Sequence, residues 1–511
     1  MQSFWIESTP DTGYPRLEGD LEVDVAVIGA GITGITTAYL LKAMGKRVAL
    51  LEMKRAVRGA TGYTTAKITS GHNLIYAALE KRFGSEGART YAEANEAAIA
   101  RIRSLAEELA VECDLETTAN YAYAESADSV QRIKDEVEAA TRAGLAATFM
   151  TETSLPFPIA GAIRIDDQAQ FHPRKYLLPL LERVDGDGSH VFEETRVRDV
   201  RYGDPCIVES ERGFVRARDV VLATHLPFED KSLLFAKAHP QRSYAVAAPI
   251  AEGSAPDGMF ISVDRPTRSV RTTPHDGGLL LIVGGEGHKT GQADDTWEPY
   301  GRLERWARER FGVGDLPYRW ATHDYASVDD VPFVGRAVPW GAHVWLATGY
   351  GKWGMTNGTA AAMLLADLIT GRENRWESFF SPNRLRSYAT RSFLSENANV
   401  ARRFVADRVA LPGRETLEAL EPGDGAVVRI EGETIAVSRS EAGLLTALSP
   451  RCTHLSCFVA WNRAEQSWDC PCHGSRYLAD GTVIEGPAVE DLGPRQIPAA
   501  ASADSSTRTR T

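Results

Sequence analysis

The spacing of apolar positions changes character several times along the chain, and each change predicts a different kind of element. Residues 21 to 34 read LEVDVAVIGAGITG, an apolar run followed by Gly29, Gly31 and Gly34. The next residues, ITGITTAYLLKAMG, carry apolar side chains at helical spacing as far as Gly45, and RVALLE then closes a second apolar run on Glu52. This pattern predicts strand, tight turn, helix and strand. Between Ala77 and Leu145 the chain is rich in Ala, Glu and Arg at helical period, which predicts two helices around the extended segment TTANYAYAES. From Tyr244 to Tyr325 apolar residues alternate between turn signals, which predicts further strands. The stretch RSFLSENANVARRFVADRVALPGRETL reads as a helix followed by a loop, with a boundary at Pro412 and Gly413. The tail ASADSSTRTRT has no apolar residue beyond Ala and is expected to be disordered.

The first of these patterns carries chemistry. Glycines at the G-x-G-x-x-G spacing allow a tight turn and the close approach of a pyrophosphate to a helix N-terminus, and an acid at the end of the second strand accepts from ribose hydroxyls. Glu52 stands near the expected spacing of about 20 residues from the turn. The predicted ligand is a dinucleotide held by Gly29, Ala30, Gly31, Ile32, Thr33, Gly34 and Glu52, and the motif alone suits NAD and FAD equally. Three more segments bear on the choice. RGATGYTTAKITSGHNLIY, from Arg58, is a polar, glycine-punctuated loop just after the ribose acid. VVLATHL, from Val220, is a buried strand ending in small residues, and VWLATGYGKWGMTNG, from Val344, is a strand, a glycine-rich turn and a helix start.

Composition narrows the partners. The 511 residues, 57 of them Lys or Arg against 69 Asp or Glu, have a formal net charge of −12, so no global basic field would hold nucleic acid. No apolar stretch reaches the roughly 18 to 20 residues of a membrane span. The N-terminus has neither a basic n-region nor an apolar h-region, and a cytoplasmic protein is expected.

Four of the six cysteines, Cys452, Cys457, Cys470 and Cys472, crowd into CTHLSCFVAWNRAEQSWDCPCHGSRY. Clustering with His454 and His473 points to a metal, and two thiolates with two imidazoles would also satisfy a zinc site. Cys113 and Cys206 are expected to be inert core thiols.

These motifs carry two resemblances. Gly29 to Gly34 with Glu52, the ATH strand at Ala223 and GYGKWGMTNG at Gly349 resemble the D-amino-acid-oxidase-like flavoproteins over about residues 20 to 390. GYTTAKIT, QAQFHPRKY at Gln168 and DYASVDDVPFVG at Asp324 resemble a bacterial subgroup of these with its own C-terminal iron-sulfur domain. The pair C-T-H-L-S-C and C-P-C-H-G-S resembles the Rieske 2Fe-2S motif, in which two cysteines hold one iron and two histidines the other. The resemblance implies an α/β Rossmann-type FAD domain with an α+β substrate domain, followed by a small all-β Rieske domain. The first two would occupy residues 1–395, with FAD-binding segments at about 1–80, 160–235 and 325–395 and substrate segments at about 81–159 and 236–324. A linker (396–411), the Rieske domain (412–500) and the tail (501–511) would follow.

It also implies site residues. FAD would be held by the residues of the first turn together with Thr61, Thr65, Ala66, Ala223, Thr224, Gly349, Gly351, Gly354, Met355 and Thr356. Cys452, His454, Cys470 and His473 would ligate the cluster, and Cys457 and Cys472 would form a disulfide over it. Ser475 and Tyr477 would donate hydrogen bonds to cluster or ligand sulfur, which places the potential toward the upper part of a range of roughly −150 to +300 mV. Lys67, Tyr325, Lys352 and Trp353 are candidates for the substrate site. His323 falls near the region where some relatives attach flavin through cysteine. Arg174 and Lys175 are expected to cap a helix or meet solvent.

A flavin takes two electrons and a Rieske cluster carries one, so the two on one chain form a relay. The implied activity is oxidation of a small amine or amino acid, with electrons leaving through the cluster to an external one-electron acceptor. The alternatives are a reductase fed by an external donor through the cluster and a non-metabolic redox sensor or electron-transfer protein. No second strand-G-x-G-x-x-G-helix and no D-x-x-H-x-x-x-H spacing occur, so neither a nicotinamide site nor a mononuclear oxygenase iron is expected.

Overall fold

A computed structural model describes residues 1 to 498 apart from Asp230, Arg386, Tyr388, Ala389 and Ala410. The tail expected to be disordered lies outside the described residues.

The apolar runs at 21 and 47 become Leu21–Ile28 and Val48–Leu51, fully or nearly buried strands joined through the helix Ile32–Ala43. They lie at the centre of an eight-stranded sheet. His190–Phe192, Val48–Leu51, Leu21–Ile28, Phe214–Leu222 and Val344–Thr348 run parallel in that order, and Phe333–Arg336 closes one edge antiparallel. Strands buried on both faces account for the continuous apolar runs. Gly34 is required here by packing, because a Cβ at that position would stand 1.8 Å from the Gly29 carbonyl oxygen. The helix Gly354–Ile369 packs against Ile32–Ala43 and completes the cover of this face.

A second, nine-stranded sheet stands beside the first. Its order is Tyr318–Ser327, Ala238–Ile250, Gly278–Lys289, Arg268–His275, Met259–Ser262, Glu116–Ala124, Gly161–Gln170 and Lys67–Ile68, with Ala147–Met150 also paired to Gly161–Gln170. The two helices expected between 77 and 145 are Tyr76–Glu108, kinked at Gly84, and Val130–Arg142, with Glu116–Ala124 between them. The crossings between sheets differ from the expected boundaries near 80 and 160. Lys67 and Ile68 pair with Gln170 and Ala169, so both strands belong to the second sheet. A two-residue strand has too short a pattern to reveal its partner.

The C-terminal unit is all β, with a three-stranded sheet from Gly425 to Leu448 and a four-stranded sheet from Ala460 to Glu485. The connection into it is the helix Arg391–Val409, which docks on the rest of the molecule: Lys289 pairs with Glu396, Asn397 donates to the Ala236 carbonyl, and Gln292 donates to Asn399. Among the described residues no helix is long and apolar enough to cross a membrane.

Candidate functional site

Between the ends of the parallel strands, the second sheet and the C-terminal unit lies a cavity of about 1280 Å³. One wall is the first glycine turn, where Gly29, Ala30, Gly31, Ile32 and Thr33 face the space together with Glu52, Thr61 and Thr65. Glu52 accepts hydrogen bonds from the Ala30 and Lys54 amides (2.8 and 3.0 Å), which ties the second strand to the turn. The Ile32 amide, at the start of the helix, donates to Thr61 Oγ1 at 3.1 Å. Ala223, Thr224, Gly351, Lys352, Trp353, Gly354 and Met355 line the same cavity, with the Ala223 carbonyl directly beside Gly29. The cradle suits a dinucleotide: a helix N-terminus, a glycine turn with no side chains and an acid at the next strand end all converge on one cavity.

Four expected residues do not reach this wall. Gly34 is taken up in helix packing. Gly349 stands behind the turn, with Ser327 and Phe333 as its nearest neighbours. The Ala66 carbonyl accepts from the buried Arg271 guanidinium (2.7 Å), and Thr356 donates to the Thr69 carbonyl (2.9 Å) beside His72. Each of them is taken up by packing or by a hydrogen bond on the protein side of its segment, and a sequence offset cannot tell the two sides apart.

Lys67, Tyr325, Lys352 and Trp353 all line the cavity. Lys67 is buried and donates to the Phe260 carbonyl at 2.9 Å and to the Ser269 hydroxyl. Burial, with a further contribution from Arg271, lowers its pKa to about 7. Lys352 takes a left-handed backbone conformation (φ 76°), its amide held by Asp324, and extends into the cavity. The protein around it lowers its pKa as well. Trp353 stacks on the buried His72 at 4.6 Å.

Arg174 corrects an expectation. It neither caps a helix nor meets solvent; it is fully buried and donates to the carbonyls of Pro10, Ala56 and Val57. The buried guanidinium thus knits the N-terminal segment to the loop after Glu52. Lys175 pairs with Asp114 at 2.9 Å, partly exposed as expected. Cys113 and Cys206 are buried free thiols.

The C-terminal unit meets the cavity through Ile484, Glu485, Gly486, Ala488 and Val489, and carries the two Cys/His loops behind them. Cys452 and Cys470 are buried free thiols, and Cys457 is joined to Cys472 with an S–S distance of 2.10 Å. The sulfurs of Cys457, Cys470 and Cys472 lie within 4.8 Å of one another, but two of the three are bonded to each other and cannot act as thiolate ligands. The rings of His454 and His473 stand 5.1 Å apart. His473 is buried, and among the described residues its Nδ1 has no hydrogen-bond partner, which suits an imidazole that would ligate a metal. The Tyr477 hydroxyl donates to Cys452 Sγ at 3.2 Å, and its oxygen accepts from the Thr453 amide. Hydrogen bonding from Cys470, and further from Tyr477 and Ser475, holds the Cys452 thiol well below its ordinary value, while Cys470 is pushed up by the same pairing. The donor set fits an iron-sulfur group with two thiolate and two imidazole ligands.

Several contacts at the meeting point escaped the sequence reading. His225 Nε2 lies 2.8 Å from Asp324 Oδ1, and His323 Nδ1 lies 3.1 Å from Glu485 Oε2 in the C-terminal unit. Ile484, Glu485 and Gly486 themselves line the cavity. His225 and Asp324 sit in segments already marked by motif, whereas Glu485 has no local signal. His323 faces Glu485 and Gly474 rather than standing free for a covalent link.

The family model described as FAD dependent oxidoreductase matches residues 24–368, and that of the Rieske [2Fe-2S] domain matches residues 415–498. The chain is 38% identical over 495 residues to YhfW of Bacillus subtilis (strain 168), described as a Rieske 2Fe-2S iron-sulfur protein, across 96% of this chain and 97% of that one. Over 79 residues it is 43% identical to the cytochrome b6-f complex iron-sulfur subunit 1 of Nostoc sp., which is 15% of this chain and 44% of that protein. Among solved structures, glycine oxidase from Geobacillus kaustophilus superposes with a TM-score of 0.60 at 18% identity, covering 71% of this chain and 99% of that one. L-proline dehydrogenase from P. horikoshii gives 0.59 at 18%, covering 72% and 98%. These two show the fold of the larger part of the chain.

Proposed function

Since the chain belongs to the FAD-dependent oxidoreductase family and carries a C-terminal Rieske [2Fe-2S] domain, we propose that it oxidises a small amine or amino acid in the cavity and passes the electrons singly through the cluster to an external one-electron acceptor. The observation that carries this reading is the shared wall: one cavity is lined both by the glycine turn and by Ile484 to Gly486 of the cluster unit. The amine class is supported by the fold, which is that of glycine oxidase and proline dehydrogenase, and by two lysines with lowered pKa on the cavity wall.

Gly29 to Thr33, Glu52, Thr61, Thr65, Ala223, Thr224, Gly351, Gly354 and Met355 would hold FAD, which supplies the two-electron chemistry when bound. Cys452, His454, Cys470 and His473 would hold the cluster. Lys67, with a pKa near neutrality, is suited to take the proton that a substrate ammonium must lose before the carbon beside it can be oxidised. Lys352, another cation on the wall, would pair with a substrate carboxylate. Trp353 would close the pocket beside it. No membrane span and no nucleic-acid contact is part of this reading, and the place of action would be the cytoplasm.

The test is an anaerobic screen of amines, N-methyl amino acids and D-amino acids, following flavin absorbance and the EPR signal of a reduced Rieske cluster. A compound that bleaches the flavin and then brings up the cluster signal establishes both substrate class and direction. If no compound bleaches the flavin while an external donor reduces the cluster first, the dehydrogenase reading falls and the reductase takes its place.

A further inference from the structure

We propose that Tyr325 is the electronic bridge between the cavity and the cluster, carrying each electron from the flavin side through its ring and hydroxyl to the backbone of the cluster ligand His473. This deepens the relay proposed above and rests on it. Tyr325 is buried and lies on Tyr318–Ser327, an edge strand of the second sheet. Tyr325 is a lining residue of the cavity, and its hydroxyl donates to the His473 carbonyl at 2.9 Å, with the Gly486 carbonyl at 3.2 Å. One residue and one hydrogen bond therefore separate the cavity from a residue of the cluster site. Electronic coupling decays less steeply through bonds and hydrogen bonds than across a gap, so this contact offers a bonded route from the cavity to the cluster site.

The surroundings hold the contact in place. The Tyr325 amide donates to Asp324 Oδ1 (2.7 Å), the same oxygen that meets His225, and the His225 and His323 rings pack on the Tyr325 ring at 4.8 and 4.9 Å. Gly474, next to the ligand, has φ 81°, and a Cβ there would stand 2.7 Å from the His323 ring and 2.6 Å from Pro240. Only glycine lets the ligand loop come this close. Around it runs a buried ionic network that crosses the two units: Arg242 to Glu465, Arg476 to Glu465, Asp469 and Glu485, and Glu485 to His323. Partnered charges with so many fixed geometries specify one docking pose. The cluster unit is thereby locked on the strand that carries Tyr325.

The electron count is two per substrate. Oxidation of the amine sends two electrons and a proton to the flavin and another proton to solvent. Each passage through Tyr325 moves one electron to the cluster, which hands it to an external one-electron oxidant before the next. With ferricyanide as that oxidant, two are reduced per substrate oxidised and both protons end in solvent.

The experiment uses the full-length holoprotein without an external oxidant. Light in the presence of EDTA reduces the flavin, and its reoxidation by the cluster is followed by absorbance, with the reduced cluster recorded by EPR. For Tyr325→Phe the transfer should slow by about tenfold or more, with flavin content and the EPR and circular-dichroism spectra of the cluster unchanged. A purely structural role would alter those spectra, not the rate alone. Transfer at the unmodified rate in Tyr325→Phe overturns the bridge while leaving the relay standing. If the unmodified protein passes no electron from flavin to cluster, the relay itself falls and the bridge with it. Should Tyr325→Phe fail to retain both groups, Arg242→Gln supplies the second arm: loosening the lock should slow the same transfer, and an unchanged rate overturns the proposal.

Discussion

The cavity wall is drawn from segments far apart in sequence, among them those around residues 30, 60, 225, 245, 267, 285, 325, 350 and 485. The cluster loops come from one stretch between Cys452 and Tyr477, and their thiols are buried and cross-braced by a disulfide and by the Tyr477 hydroxyl. The difference follows from what each must do. A cavity that admits and releases a substrate needs walls able to stand apart, so it forms where separate layers meet. A permanent inorganic group is best held by a compact, fully bonded shell whose donors need not move.

The comparison can be broken at either end. Replacing one proposed cluster ligand, Cys470→Ser, should abolish the Rieske EPR signal completely while flavin absorbance stays, because the cavity wall takes nothing from that side chain. The reverse break is Gly34→Ala. Its Cβ would meet the Gly29 carbonyl, so overpacking should cost about 3 kcal/mol. Calorimetry should show a lowered Tm and the purified protein a reduced flavin content, with the cluster signal kept in whatever folds.

A smaller change sharpens the contrast in electrostatics. Lys67 has its pKa lowered to about 7 by burial, so its neutral form gains as pH rises through that value. Flavin reduction by an amine substrate should therefore increase with pH across the neutral region, and Lys67→Met should remove this limb. The linkage has the matching sign: the folded state binds fewer protons at this site than the unfolded state above the folded pKa, so the buried lysine costs most stability below it. The stability advantage of Lys67→Met, measured by urea denaturation, should be largest in acid and shrink as pH rises past neutrality.

The smallest expected effect lies in the cluster shell. Tyr477→Phe removes a donor to the Cys452 sulfur. A hydrogen bond worth about 1 kcal/mol that favours the more negative reduced state corresponds to about 40 mV for one electron, so a redox titration should find the potential lowered by that amount. A potential unchanged or raised would mean that the hydroxyl does not favour the reduced cluster.

Much of this molecule can be read locally. The strand, turn and helix at Leu21 to Ala43, the acid at Glu52 and the paired Cys and His loops each encode their element in a few neighbouring residues, because glycine spacing and ligand spacing act over one turn of chain. The helices at Tyr76 and Val130 follow from their period alone. What resists such reading is facing and distance: that Thr356 and Ala66 turn to the protein interior while Thr61 and Thr65 face the cavity, that Arg174 is buried among carbonyls, and that Lys67 pairs its strand with Gln170.

The sequence by itself determined two nucleotide- and metal-type motifs, the order of the units and the chemistry each can support, since those depend on residue types at short spacing. Only the tertiary structure decided that the glycine turn and Ile484 to Gly486 of the C-terminal unit line one cavity, that Tyr325 reaches the carbonyl of His473 and that Arg242, Arg476, Glu465 and Glu485 fasten one unit to the other. Those contacts join residues far apart in sequence. No local pattern carries them, because what selects them is the fit of two folded surfaces.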